Sequence, residues 1–227
     1  INLLYLLPGL VGGTETYARG LLRGLAAVSC NHEFVVFVNR EAASWQLPPA
    51  PNFTRVICPV TGTNRISRYY FEQVMLPKLL RQQRINLVHS LGYVGPVISS
   101  CATVVTIPDL NYIDLGSTLS LHRHLMLRFT STQAAKAADA IITISSFSKR
   151  RLCEGLNLPA DKITVTYLAP QLELVKSPSE DWTELKQRYN IQEPYVVAFG
   201  GGAIHKNIPT LLRAFARVSH SLPHDLV

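Results

Sequence analysis

AFGGGAIHKN, residues Ala198–Asn207, is where an apolar run gives way to a glycine cluster and then to a helical pattern. The run Tyr195–Phe199 reads as a buried strand, and Ile208–Val218 has the spacing of an amphipathic helix. A glycine turn between strand and helix exposes backbone N–H groups to a phosphate, and the positive end of the helix dipole favours the same anion. Lys206 adds a full positive charge at the mouth of that helix. The stretch is not a P-loop, because Gly-Lys-Ser/Thr is missing, and not the dinucleotide fingerprint, because no third glycine has the required spacing. Read alone, it is equally a tight turn beside a solvated lysine. The surrounding chain has to decide.

Upstream, strands and helices alternate. Ile1–Leu7, Phe34–Val38, Arg55–Cys58, Ile85–His89, Thr103–Ile107, Ala140–Ile144 and Ile163–Tyr167 are predicted strands. Helices are predicted over Glu15–Val28 with Thr14 as cap, Ser67–Gln83 with Pro77 as a kink or break, Leu121–Ala138, Phe147–Gly155 behind the caps Ser145 and Ser146, and Trp182–Tyr189. Alternation of this kind implies an α/β fold with a mostly parallel sheet. The segment Ala169–Asp181, rich in Pro, Ser and charge, reads as a linker. The expected organisation is a first domain over residues 1–170, a linker over 171–190 and the beginning of a second domain over 191–227.

Composition narrows the partners. The 227 residues are 47% hydrophobic and 16% charged, with a formal net charge of +7. The positive excess suits phosphate-bearing substrates or an acidic membrane surface. Nucleic acid is disfavoured, because the basic residues are scattered and no RNA-binding aromatic signature, zinc-finger spacing or basic arm is present. Cys30, Cys58, Cys101 and Cys153 are far apart without a CxxC, as expected of buried thiols in a reducing compartment. With no apolar run of roughly 18 residues and no basic leader, the expectation is a cytoplasmic protein.

In open α/β sheets ligands bind beyond the carboxyl ends of the strands. The segments there are Gly12-Gly13, His89-Ser90, Pro108-Asp109, Ser145-Ser146 and Gly200–Lys206. Two glycines, a histidine, a carboxylate, two hydroxyls and a lysine thus gather on one expected edge.

Five stretches in this order resemble the retaining glycosyltransferases of family 4: GGTETYARGLLRGL (Gly12–Leu25), RYYFEQVMLPKLLRQQRINLVHS (Arg68–Ser90), VVTIPDLNYID (Val104–Asp114), AADAIITISSFSKRRL running on to DKITVTYLAP (Ala137–Pro170), and YVVAFGGGAIHKNIPTLLRAFA (Tyr195–Ala216). The chain is similar to the mannosyl- and rhamnosyl-type transferases that build bacterial polysaccharides. The resemblance implies the GT-B fold, two facing Rossmann-like domains with the active site in the cleft between them. It also implies transfer of a hexosyl group, with retention, from a nucleotide-diphosphate sugar to a saccharide or lipid-linked acceptor. No cofactor is implied; the nucleotide sugar is the donor substrate.

The resemblance assigns roles residue by residue. Gly12 and Gly13 match a turn that admits the donor phosphate to the backbone. Gly201, Gly202, Lys206 and Asn207 match the second phosphate-binding stretch, with Lys206 neutralising the diphosphate as it leaves. Ser145, Ser146 and Lys149 match a motif read first as structural and second as part of the acceptor cleft. His89 is either a satisfied core residue or part of that cleft. Asp109 either orients the acceptor or caps the next turn. Two departures stand out: Gly201 replaces a frequent arginine, and Pro108 replaces the histidine of a common His-Asp pair. No Asp-x-Asp is present, so a metal site is not expected.

The family's paired glutamates are absent after Glu193, and a second strand should begin at His224–Val227. The expectation is an incomplete, inactive piece of a two-domain transferase. The alternative is a half-length acceptor-binding module that needs a separate donor domain, and a nucleotide-sugar epimerase is a third possibility. Lys149, Arg150 and Arg151 on one helix face suggest peripheral contact with the inner face of a membrane, against the alternative of a solvated basic face.

Overall fold

The computed structural model describes residues 1–28, 31–114, 121–170, 182–200 and 206–227. They fall into two units, Ile1–Pro170 and Gln171–Val227. In the first, short apolar runs bounded by turns form β1 (Asn2–Leu3), β2 (Phe34–Val38), β3 (Phe53–Ile57), β4 (Leu87–Ser90), β5 (Ala102–Thr106), β6 (Ala140–Thr143) and β7 (Ile163–Val165). They make one sheet in the order β3-β2-β1-β4-β5-β6-β7. Every neighbouring pair is parallel, as in β2 on β3 (Phe34 opposite Phe53) and β4 on β5 (Leu87 opposite Ala102). The order reverses between β1 and β4, where the chain has gone out one way and returned to go the other. That is the switch point of a Rossmann-like sheet.

The helices that cover the sheet in the first unit are α1 (Gly13–Ala27), α2 (Arg65–Tyr70), α3 (Leu76–Gln82), α4 (Asn111–Asp114), α5 (Leu121–Ala137) and α6 (Ser146–Leu156). Three buried clusters result: Leu3, Leu6, Leu22 and Val36 beneath α1, Leu4, Phe37, Leu76 and Leu80 beneath α3, and Ile107, Ala134, Ile141 and Leu152 beneath α5 and α6.

Four local expectations need correction. The strand predicted over Ile1–Leu7 ends at Leu3, because Asn2 Oδ1 accepts the Leu4 N–H (3.0 Å) and Leu6 N–H turns back to Leu3 O (2.9 Å). The apolar run stays buried because Leu3 and Leu6 serve one cluster and Leu4 another. Thr14 is not the cap of α1; Gly12 occupies that position, and the Thr14 hydroxyl donates to Val11 O from inside the first turn. Pro77 does not break its helix. The turn before it, Phe71–Met75, widens to a π-helix in which Leu76 N–H reaches Phe71 O. The wider turn eases the clash between a proline ring and the carbonyl four residues back. Finally, Cys58 is buried, and burial pushes its thiol up to about 12, but Cys101 and Cys153 are only half-buried. Cys30 lies outside the described residues.

The second unit contains α7 (Trp182–Tyr189), β8 (Tyr195–Val196), α8 (Ile208–Val218) and β9 (Asp225–Leu226). β8 and β9 pair in parallel across α8, so the expected second strand is present. The run Tyr195–Phe199, expected to be a buried strand, is a strand only over Tyr195–Val196, with one further bond from Ala198 N–H to Val227 O, and Phe199 is 92% exposed. A two-stranded sheet with two helices supplies too few layers to cover it. Residues 171–181, most of the expected linker, lie outside the described residues.

Candidate active site

The loop after β1 leads into α1 through two tight glycine turns. Leu10 N–H closes a turn on Leu7 O, and Gly9 takes φ +76° and Gly12 φ +54°, a region that favours glycine. The N–H groups of Gly12, Gly13 and Thr14 have no acceptor among the described residues, and a Cβ placed on Gly12 or Gly13 would meet nothing within 4 Å. The loop therefore presents bare amides at the positive end of a 15-residue helix.

Glu15, which sequence reasoning missed, fixes that loop. Its carboxylate accepts from Gly9 N–H (2.7 Å), Trp45 Nε1 (2.9 Å) and Arg19 Nη2 (3.0 Å). Partial burial works to raise its pKa, but the three donors outweigh it and leave it below the usual carboxylate range. The signal available in the sequence was the Glu15–Arg19 spacing on α1.

Across the switch point, the loop after β4 packs on the loop after β1. Gly92 lies against the Tyr5 ring, where an added Cβ would come within 2.3 Å. Tyr5 in turn donates its hydroxyl to Thr14 O (3.0 Å). His89 sits at 2.7 Å from Thr106 Oγ1, and Thr106 at 3.4 Å from the Tyr17 hydroxyl, so α1, β4 and β5 share one polar chain. Burial holds the His89 imidazole down to about 4. The ring is neutral at pH 7 and cannot lend a cation to a diphosphate. As placed here it is a half-buried histidine held by Thr106.

Asp109, just beyond β5, accepts the Asn111 N–H (3.0 Å) and the Tyr93 hydroxyl (3.0 Å), both on Oδ1. The turn-capping reading is thus observed. Its Oδ2 has no partner among the described residues, which leaves one carboxylate oxygen for a hydroxyl of a ligand. Ser145 caps α6 by accepting the Ser148 N–H (3.0 Å), whereas Ser146 is already helical and its exposed hydroxyl stands 3.4 Å from that of Tyr167. Lys149, expected on an exposed basic face, instead donates to Ile163 O at 2.7 Å, and Arg151 reaches Glu154. The stems of both are half-buried; Arg150, beside the exposed Phe147, is left on the surface.

Lys206 and Asn207 belong to the second unit. Lys206 is exposed just ahead of α8, and Asn207 is the N-cap at φ +51°, its carbonyl accepting Thr210 N–H. Gly201, Gly202 and His205 lie outside the described residues. Among the described residues no three His, Cys, Asp or Glu side chains come together as metal ligands. No helix among them is long and apolar enough to cross a membrane.

The Glycosyltransferase Family 4 model matches residues 11–169, the glycine loop through the end of the seven-stranded sheet. The chain belongs to glycosyltransferase family 4. In this family 4 chain the seven-stranded Rossmann-like sheet is that of a GT-B amino-terminal domain. No curated protein matches the chain. The glycine loop and the His89 chain meet at the switch point. Asp109 stands one strand away, beyond β5 and tied to the loop after β4 through Tyr93, and Ser145 and Ser146 stand farther along the same edge, after β6.

Proposed function

We propose that this family 4 chain transfers a hexosyl group, with retention and without a metal ion, from a nucleotide-diphosphate sugar to a saccharide or lipid-linked acceptor. The observation that carries the reading is the glycine loop at the switch point, whose amides have no acceptor among the described residues and whose shape is set by Glu15. In the reaction the bond from the anomeric carbon to the diphosphate breaks, a bond to the acceptor oxygen forms, and the acceptor's proton goes to the leaving phosphate oxygen. Negative charge grows on the diphosphate, so fixed donors and cations act most strongly in the transition state. Gly12 and Gly13 admit the phosphate; Lys206 and the amino end of α8, with Gly201, Gly202 and Asn207, neutralise it. Asp109 orients an acceptor hydroxyl at the edge where His89, Ser145 and Ser146 also stand.

The test uses the complete polypeptide with GDP-mannose, dTDP-rhamnose and UDP-glucose as donors and octyl glycosides as acceptors, scored by nucleotide-diphosphate release and by the anomer formed. Lys206→Ala should lower kcat by about 10²–10³ with less change in donor KM. An unchanged rate would remove Lys206 from the mechanism, and an inverted product would remove retention. Peripheral contact with an acidic membrane belongs to the same proposal, supported by the net charge of +7 and the exposed Phe147 and Arg150 on α6. It requires salt-sensitive co-sedimentation with phosphatidylglycerol vesicles; binding indifferent to salt would count against it.

A further inference from the structure

The loop after β4 contains a feature that the motifs do not account for. Tyr93 stands at φ +65°, and Val94 N–H bonds to Gly92 O at 2.8 Å around it. A two-residue hydrogen bond about a positive φ marks the strained form of the γ-turn, which a tyrosine adopts only where its surroundings compel it. Four constraints do so here. Tyr93 N–H bonds to Thr106 O (3.3 Å), its ring meets Tyr112 edge-on at 5.7 Å, and its neighbour Gly92 abuts Tyr5. Farther along the loop, Gln73 of the π-turn donates to Gly95 O and accepts Val97 N–H. The strained backbone delivers one polar atom, the Tyr93 hydroxyl, to Asp109 Oδ1.

We infer that Tyr93 is a positioning residue for the transfer reaction: its hydroxyl fixes Asp109 so that the free carboxylate oxygen receives a sugar hydroxyl. The inference rests on the glycosyltransferase reading. Burial and the facing carboxylate both raise the Tyr93 phenol, so it stays protonated and donates. Oδ1 is occupied by Tyr93 and the Asn111 N–H; among the described residues nothing reaches Oδ2, which is left to a ligand. The geometry gives Asp109, at the position following Pro108, a fixed orientation supplied by a side chain 16 residues away.

The experiment is a double-mutant cycle in the complete polypeptide, with the donors and octyl glycosides named above. Tyr93→Phe removes the hydroxyl and keeps the ring against Tyr112. We expect it to lower kcat/KM for the acceptor by about tenfold or more, the worth of a hydrogen bond to a charged group, with donor KM unchanged. Asp109→Asn should cost at least as much. The double variant should be no worse than Asp109→Asn alone, because the two side chains act through one contact. A merely structural tyrosine would give penalties that multiply, or a Tyr93→Phe enzyme with wild-type kinetics, and either result overturns the inference while transfer itself persists. Failure of the wild type to transfer from any nucleotide sugar would overturn the glycosyltransferase reading, and this inference with it.

Discussion

His89 shows how one half-buried side chain makes stability depend on pH. Burial depresses its pKa to about 4, against an ordinary value of about 6.5. A histidine depressed in the folded state contributes stability that is complete above the unfolded value and is lost as pH falls toward the folded one. Over that window the loss approaches about 3 kcal/mol. Urea unfolding at pH 7 and pH 4 should therefore show the wild type losing about that much more stability than His89→Gln; parallel losses would mean that His89 is not the group responsible. At this scale the sequence was readable where partners are local. Ser145 caps the helix that begins one residue later, as its type and place suggest. Asp109 was readable only in half: its bond to Asn111 is local, but the bond to Tyr93 depends on a strained turn that no pattern of hydrophobicity encodes.

Among elements, the glycine loop and the π-turn set the shape of the candidate site. Gly12 combines φ +54° with ψ −125°, a conformation open to glycine and strained for an L residue. Gly12→Ala should therefore destabilise the fold by about 1–3 kcal/mol. Gly13 has neither positive φ nor a crowding neighbour, so Gly13→Ala should leave stability nearly unchanged. Guanidinium unfolding of the two variants checks the contrast, and equal losses would mean that the dihedral is not what selects glycine at position 12. Strand and helix existence in the first unit followed from periodicity except for the short α4, which no periodic pattern announces. Lengths did not: β1 stops at Leu3 because the Asn2 side chain competes for the next amide, and Pro77 sits in a continuous helix because the turn before it widened.

At the level of the whole molecule, burial is concentrated in residues 1–170. All three core clusters lie there, and no residue from 182 onward whose burial is described is buried. A polypeptide of residues 1–170 should unfold cooperatively by itself, whereas residues 171–227 alone should show no cooperative transition. Calorimetry of the two pieces decides it; a non-cooperative first piece would mean that its core depends on the second. The α/β class was legible from alternation alone, but the exposure of Tyr195–Phe199 was not, since an apolar run does not say how many layers will cover it. The sheet order has one more consequence. Because every strand points the same way, the glycine loop, Tyr93 and Asp109 all leave from one edge. The loops that enter the strands, such as Pro48–Pro51 ahead of β3 and Ser99–Cys101 ahead of β5, leave from the other. Epitope tags, dyes or a permuted start point grafted into the exposed prolines at 49 and 51 would stand a full strand length from the candidate site, which makes that rim the natural handle for immobilising the protein with that site open.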